Sequence, residues 1–280
     1  MPRIIMDKPF RRVFIEITNV CNLACGFCAV SSRPAAFMDL DSFKAVAAQV
    51  KPFASVVSLH VLGEPFMHPR LRDILRFCSD LGLKINLVTN GTLLDKFGPA
   101  LFAEKCLSQV SVSLHALAAL EPAARRDKLR LIEGLAKTKP EHFKLALRLR
   151  GDRTDPVIKE ISDYFLSAFP GGPARVDCGR AEMLRDNVYL NFGELFTWRE
   201  GQNTKRKGGC LGLRHHFAVL CGGEVVPCCA DYDGRLAFGN LNVTPLAGIL
   251  RSPAAAALRS RIAARTPVPA YCRRCGFRAP

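Results

Sequence analysis

The feature that most constrains the fold of this chain is an alternation. Six short runs read as strands: Val13–Ile17, Ser55–Leu62, Leu83–Val88, Gln109–Leu114, Phe143–Arg150 and a weaker Ala174–Cys178. Most are rich in β-branched or aromatic residues, as buried strands are. Between them the pattern predicts helices over about 40–50, with Asp41 as N-cap, and over about 69–81, 94–105, 122–137 and 156–168. Strands that alternate with helices imply a parallel sheet joined by right-handed crossovers. Six such units fall short of the roughly eight of a closed barrel. From Tyr189 the alternation stops, and 193–209 reads as a polar, basic linker. The expected division is therefore 1–188 for the alternating part and 189–280 for a smaller C-terminal part.

In barrel-type α/β folds ligands bind at the C-terminal ends of the strands, and the unusual residues collect there. Cys21, Cys25 and Cys28 follow the first strand, and Gly63, Glu64 and Pro65 follow the second. Thr89 and Asn90 follow the third, Ser113 and His115 end the fourth, and Arg148 and Arg150 end the fifth. This coincidence points to one mouth-shaped site. Three thiolates spaced Cys-x3-Cys-x2-Cys can converge on one iron–sulfur cluster. A four-iron cube held by three cysteines keeps one iron open to a small chelating molecule. A structural zinc would need a fourth ligand. Cys78 and Cys106 lie on helical segments and read as core residues.

The cysteine triad, the aromatic Phe27 just before its third member, and Gly63-Glu64-Pro65 together resemble the radical S-adenosylmethionine (SAM) superfamily. The resemblance implies a partial, six-stranded (β/α)6 barrel. It implies that the amino and carboxylate groups of SAM chelate the open iron of a [4Fe-4S] cluster. Reductive cleavage of SAM then yields a 5′-deoxyadenosyl radical that abstracts hydrogen from substrate. Gly63-Glu64-Pro65 would bond the amino group of SAM. Thr89, Asn90, Ser113 and His115 are candidates for the ribose hydroxyls or the substrate, beside a reading as ordinary turn chemistry. Arg148 or Arg150 suits the SAM carboxylate, and both share one face of a regular strand.

The C-terminal part reads as a cysteine-rich α+β extension. Phe217–Leu220 and Glu224–Val226 form a predicted hairpin about a glycine turn. Cys210, Cys228, Cys272 and Cys275 form a candidate second metal set. Their pattern resembles the SPASM/twitch extension of radical SAM enzymes, which carries auxiliary [4Fe-4S] clusters. No cysteine stands between Cys229 and Cys272, and this departure points to one auxiliary cluster. Cys229 or Cys221 is the alternative to Cys228, and a structural zinc on the same thiolates is the alternative to the cluster.

Composition narrows the setting. No apolar run follows the basic N-terminus as in a signal peptide, and none is long enough to span a bilayer. Twelve cysteines in 280 residues without a signal suggest metal rather than a disulfide scaffold. The expectation is a cytoplasmic protein without membrane contact. A net charge of +15 attracts polyanions, so the substrate is expected to be anionic, a peptide or RNA. A radical SAM enzyme also needs a reducing partner such as flavodoxin or ferredoxin. The expected chemistry is oxidation or dehydrogenation, or modification of a peptide or natural product, assisted by the auxiliary cluster. The alternatives are an RNA-modifying radical SAM enzyme, a non-catalytic iron–sulfur or zinc module that binds RNA, and an epimerase in which Cys178 donates a hydrogen atom.

Overall fold

The computed structural model describes residues 10–54, 56–170, 181–196, 209–266, 268–273 and 275, and the backbone of 174–176. The alternating part begins with β1 (Arg12–Ile15), α1 (Leu40–Val50), β2 (Val57–Ser58), α2 (Leu71–Leu81) and β3 (Ile85–Thr89). It continues with β4 (Leu107–Ser113), α3 (Pro122–Thr138), β5 (Lys144–Arg150) and α4 (Pro156–Ala168). The strands β6 (Ala174–Val176), β7 (Ala181–Arg185) and β8 (Val188–Gly193) follow. The rest is β9 (His216–Val219), β10 (Glu224–Val226), β11 (Gly239–Asn240), α5 (Leu246–Arg251), α6 (Pro253–Ala263) and α7 (Ala270–Arg273). Among the described residues no helix is long and apolar enough to cross a membrane.

Local chemistry sets several boundaries. The N-cap of α1 is Asp39 rather than Asp41, because its carboxylate accepts from the N–H groups of Asp41 and Ser42. Gly82, at φ +70°, ends α2 in the left-handed conformation that glycine adopts without strain. No α-helix forms over 94–105. Leu94–Lys96 and Gly98–Ala103 are separate 3-10 turns, since Gly98 and Pro99 break the helix there. β2 is shorter than the apolar run suggested, because the chain leaves the sheet after Ser58 and turns at Gly63, φ +74°, where the Glu64 N–H meets the Val20 carbonyl of the cysteine loop.

One sheet holds the described strands, in the order β11-β10-β9-β1-β2-β3-β4-β5-β8-β7-β6. From β1 to β5 and on to β8 the pairs are parallel, which gives the six-stranded partial barrel. Its sixth strand is Val188–Gly193, not Ala174–Cys178 as the sequence suggested, of which 174–176 are described. The earlier segment lies at the sheet's far edge and pairs antiparallel with β7. β7 turns back into β8 through Asn187, at φ +57°. The alternation of Val188, Leu190 and Phe192 then buries one side of β8. The expected division after residue 188 thus falls just inside the first residue of that strand. Cys178 lies outside the described residues.

Alternation along the strands separates two faces. Val13, Ile15, Val57, Ile85, Leu87, Val110, Val112, Leu145 and Leu147 are buried under the helices. Each such side chain contributes roughly 1.5–3 kcal/mol when fully buried. Cys78 and Cys106 join this core, as expected. The opposite face lines the barrel lumen, and apart from Phe14 its first row is polar: Phe14, Ser58, Asn86, Gln109 and Lys144 stand side by side in register. On the other flank β9 pairs parallel with β1, so the C-terminal hairpin extends the barrel's own sheet.

Candidate active site

The three expected thiols share one loop after β1. Cys21 and Cys28 are exposed and Cys25 is half-buried. The Cys28 N–H donates to the Cys25 carbonyl at 2.9 Å, which closes the loop into a turn. Burial and the neighbouring Cys21 and Cys28 push the Cys25 thiol up to about 11. Burial and Cys21 raise Cys28 as well. Thiols so close resist ionising together, and a bound cation removes that resistance.

Gly63, Glu64 and Pro65 tie this loop to the next one. The Glu64 N–H donates to the Val20 carbonyl at 2.8 Å. Gly63 sits at φ +74°, and a Cβ there would lie 2.4 Å from the Thr18 carbonyl oxygen. Glycine is therefore needed for the two loops to touch. The Glu64 carboxylate is buried and accepts from the Phe66 N–H at 3.0 Å, the Thr89 hydroxyl at 2.8 Å and the Asn90 N–H at 2.6 Å. Burial raises its pKa, and these three donors oppose that shift. Pro65 opens a short 3-10 turn that Glu64 caps.

Asn90 reaches the cysteine loop itself. Its Nδ2 lies 3.7 Å from the Cys21 sulfur and donates to Asn22 Oδ1 at 2.9 Å. Asn22 in turn donates to Thr92 Oγ1 at 2.8 Å, and Thr92 donates back to Asn90. Asn22 and Thr92 were not singled out from the sequence, because they read as ordinary loop polar residues. Their signal is position only, Asn22 between two of the cysteines and Thr92 just past Asn90. Glu16 was missed too. It is fully buried and pairs with Arg33 at 2.7 and 2.8 Å. It also accepts from the N–H groups of Leu62 and Cys221. A lone acid inside an otherwise apolar strand was the signal.

His115 and Phe27 meet across the mouth with ring centroids 5.0 Å apart. His115 lies in a 3-10 turn just beyond β4 rather than on the strand. Burial lowers its pKa to about 4, so the ring is neutral at ordinary pH. Its Nδ1 faces the Arg148 carbonyl at 3.1 Å. A carbonyl only accepts, so the proton sits on Nδ1 and Nε2 is left as an acceptor. Ser113 is half-buried at the end of β4. Arg150 donates to the Asn191 backbone and side-chain oxygens at 2.6 and 2.5 Å. Arg148, in the next row down the same face, turns into the lumen.

Cys210, Cys228, Cys272 and Cys275 line one cavity of about 460 Å³, with Cys229 in the same wall. Burial raises the Cys228 thiol, and Cys229, Cys210 and Cys275 add to the shift. Gly212 permits this crowding, since a Cβ there would lie 3.0 Å from the Pro227 carbonyl oxygen. Cys221 is elsewhere, its sulfur 3.8 Å from the Ile17 carbonyl oxygen. Cys229 also lines a second cavity of about 780 Å³, the barrel lumen. Arg12 and Phe14 are shared by the two cavities in the same way.

Residues 15–127 match the model of the Radical SAM superfamily. Residues 210–276 match that of SPASM, an iron–sulfur cluster-binding domain. An AdoMet-dependent heme synthase of Oleidesulfovibrio alaskensis is 27% identical over 243 residues, 79% of this chain and 61% of that protein. The chain spans between about a quarter and three-fifths of the length of the first curated relatives it matches. The fold is similar to that of Streptococcus suis SuiB bound to the precursor peptide SuiA, with a TM-score of 0.63 and 18% identity. That match covers 90% of this chain and 67% of SuiB. It is also similar to BtrN in complex with AdoMet and 2-DOIA, with a TM-score of 0.56, 16% identity and coverage of 92% and 88%. A radical SAM domain implies SAM and a [4Fe-4S] cluster, and a SPASM domain implies auxiliary iron–sulfur chemistry. The donor types suit both groups, since three thiols share one loop and four share one cavity, although among the described residues no three of them stand close enough together to hold a metal ion in this arrangement.

Proposed function

Since the chain belongs to the radical SAM superfamily and carries a SPASM iron–sulfur domain, we propose that it takes a hydrogen atom from a peptide or other natural-product substrate and carries that substrate to an oxidised product. The observation that supports this most is the placement of the lumen. A substrate there would lie between the mouth of the barrel and the Arg12–Phe14–Cys229 wall that it shares with the second thiol set. The SuiB complex with its precursor peptide supports a peptide substrate. RNA finds no support among these relatives, and the reading as a non-catalytic RNA-binding module gives way to that of an enzyme.

When bound, SAM and its cluster supply a 5′-deoxyadenosyl radical, and one auxiliary [4Fe-4S] cluster supplies a one-electron acceptor. Cys21, Cys25 and Cys28 would hold the first cluster, and Cys210, Cys228, Cys272 and Cys275 the second. Glu64 fixes the Thr89–Asn90 turn against the cysteine loop, which sets the cradle for SAM. Phe27, Gly63, Pro65, Ser113 and His115 complete that cradle, and Arg150 borders it. The neutral His115 offers an acceptor at Nε2 to a hydroxyl. Four cysteine ligands leave the substrate no iron to bind at the second site, which favours electron transfer. Cys178, the hydrogen donor of the epimerase reading, lies outside the described residues and lends that reading no support. The protein would work in the cytoplasm, where thiols stay reduced and a flavodoxin or ferredoxin delivers electrons.

Reconstitution with iron, sulfide, SAM and a reductant tests this. The wild type should form 5′-deoxyadenosine, and the triple variant Cys21→Ala, Cys25→Ala, Cys28→Ala should form none. That variant should keep about half the iron, if each cluster holds four irons. Normal cleavage in the triple variant sinks the assignment. With a substrate in hand, an oxidation gives a product of lower hydrogen content and consumes SAM stoichiometrically.

A further inference from the structure

Among the described residues, the lumen of the barrel carries more positive charge than its walls balance. Arg12 at the start of β1, Lys144 at the start of β5 and Arg148 near the end of β5 all line it. No aspartate or glutamate is among the described residues of its wall. Among the described residues neither the Arg12 nor the Arg148 guanidinium has a hydrogen-bond or ion-pair partner, whereas Arg150 next to them is held by Asn191. The Arg12 and Arg148 guanidinium groups lie close enough to repel one another. Like charges left together on a protein wall cost stability unless something of opposite sign joins them.

Two neutral groups also wait for a partner. Asn86 is 4% exposed, and its Oδ1 is buried without a hydrogen bond. It stands in the first polar row, and it lines the lumen. His60, one row above, has a buried Nδ1 that is also without a partner. Buried polar atoms are almost always satisfied, so these two, both in the lumen wall, leave contacts open to a bound molecule. The cavity, at about 780 Å³, has room for a drug-sized molecule or a few peptide side chains.

We propose that the lumen binds the oxyanion of its substrate, a carboxylate or a phosphate, between Arg12 and Arg148, with Lys144 at the lower rim and Asn86 and His60 contacting the substrate's neutral polar groups. The proposal rests on the reading of the lumen as the substrate site. Guanidinium groups suit this task because their planar forks match the oxygens of carboxylate and phosphate. The ion would sit next to Phe14 and Cys229, the wall shared with the second thiol set.

The test is a calorimetric titration of the reconstituted enzyme at physiological salt, with glutarate and inorganic phosphate as separate probes. At least one probe should bind, and which one binds tells a carboxylate-bearing from a phosphate-bearing substrate. Arg12→Gln and Arg148→Gln should each weaken that binding about tenfold or more, and Arg12→Lys should recover part of it. The surface variant Arg130→Gln should leave binding unchanged, which separates the lumen from the basic exterior. Saturating SAM should leave the probe's affinity within about twofold, since the lumen ion and SAM occupy separate places. Three results overturn the proposal: no binding of either probe, binding insensitive to both arginine variants, or displacement of the probe by SAM. Variants that bind no probe are checked by circular dichroism, and if Arg12→Gln does not fold, the Arg12→Lys result stands in its place. The titration needs no catalysis, so a failed SAM-cleavage assay and a failed titration are read independently.

Discussion

At the scale of single residues, the mouth depends on atoms that exclude a side chain as much as on those that supply one. Gly63 shows this best. Its positive φ and the 2.4 Å approach to the Thr18 carbonyl oxygen leave no room for a methyl group. The neighbour is backbone, which cannot rotate away. Gly63→Ala should lower stability by roughly 1–3 kcal/mol in urea melts and should reduce the iron retained on reconstitution. Gly63→Asn tolerates the positive φ but keeps the Cβ, so it should be no better than alanine. An asparagine variant of wild-type stability would show that the close approach is not the constraint.

At the scale of elements, Glu16 joins three of them. It sits one residue past β1, pairs with Arg33 beyond the cysteine loop, and accepts from Leu62 after β2 and from Cys221 in the β9–β10 turn. Both its oxygens are taken, and its side chain is out of water. Removing one partner of a buried pair costs about 3–5 kcal/mol, because the other charge is left uncompensated. Glu16→Ala should show a loss of that order in urea unfolding and faster amide exchange at Cys221. The double variant Glu16→Ala, Arg33→Met should be less damaged than the sum of its parts. Simple additivity would mean that the two side chains do not act as a pair.

At the scale of the whole molecule, the lumen's charge has a consequence for acid stability. Burial, together with the charges of Arg148 and Arg12, lowers the His60 pKa to about 3. The unfolded chain, with an ordinary histidine, takes up a proton near pH 6.5 that the native state refuses. The stability linked to His60 is therefore complete above about pH 6.5 and is lost as pH falls from there toward 3. The slope is roughly 1.4 kcal/mol per pH unit for such a group. Urea melts between pH 7 and pH 4.5 measure it, and His60→Gln should flatten the slope by about that amount. An unchanged slope in the variant would place the acid sensitivity elsewhere.

The cysteine spacing, the glycine-glutamate-proline turn and the alternation of strand and helix are local patterns, so they were legible in the sequence alone. They implied the parallel sheet and, through the resemblance, the partial barrel, and they put the polar residues at the ends of its strands; the order of the strands came from their pairing. Val188–Gly193 alternates Val188, Leu190 and Phe192 with Tyr189 and Asn191, a stronger strand pattern than Ala174–Val176, but only sheet pairing showed that it, and not the earlier segment, is the sixth parallel strand. Asn187, at φ +57°, closes the β7–β8 hairpin, but a turn does not say which strand the hairpin will join. The four C-terminal cysteines were legible as a set, yet their convergence on one cavity, the presence of Cys229 in its wall and the absence of Cys221 needed the packing of β9 on β1. The unpaired arginines were the least legible. Arg12 and Arg148 are 136 positions apart, and nothing local marks them as neighbours. Periodicity and spacing act over a few residues, whereas the closing of the sheet around a lumen sums contacts across the whole chain.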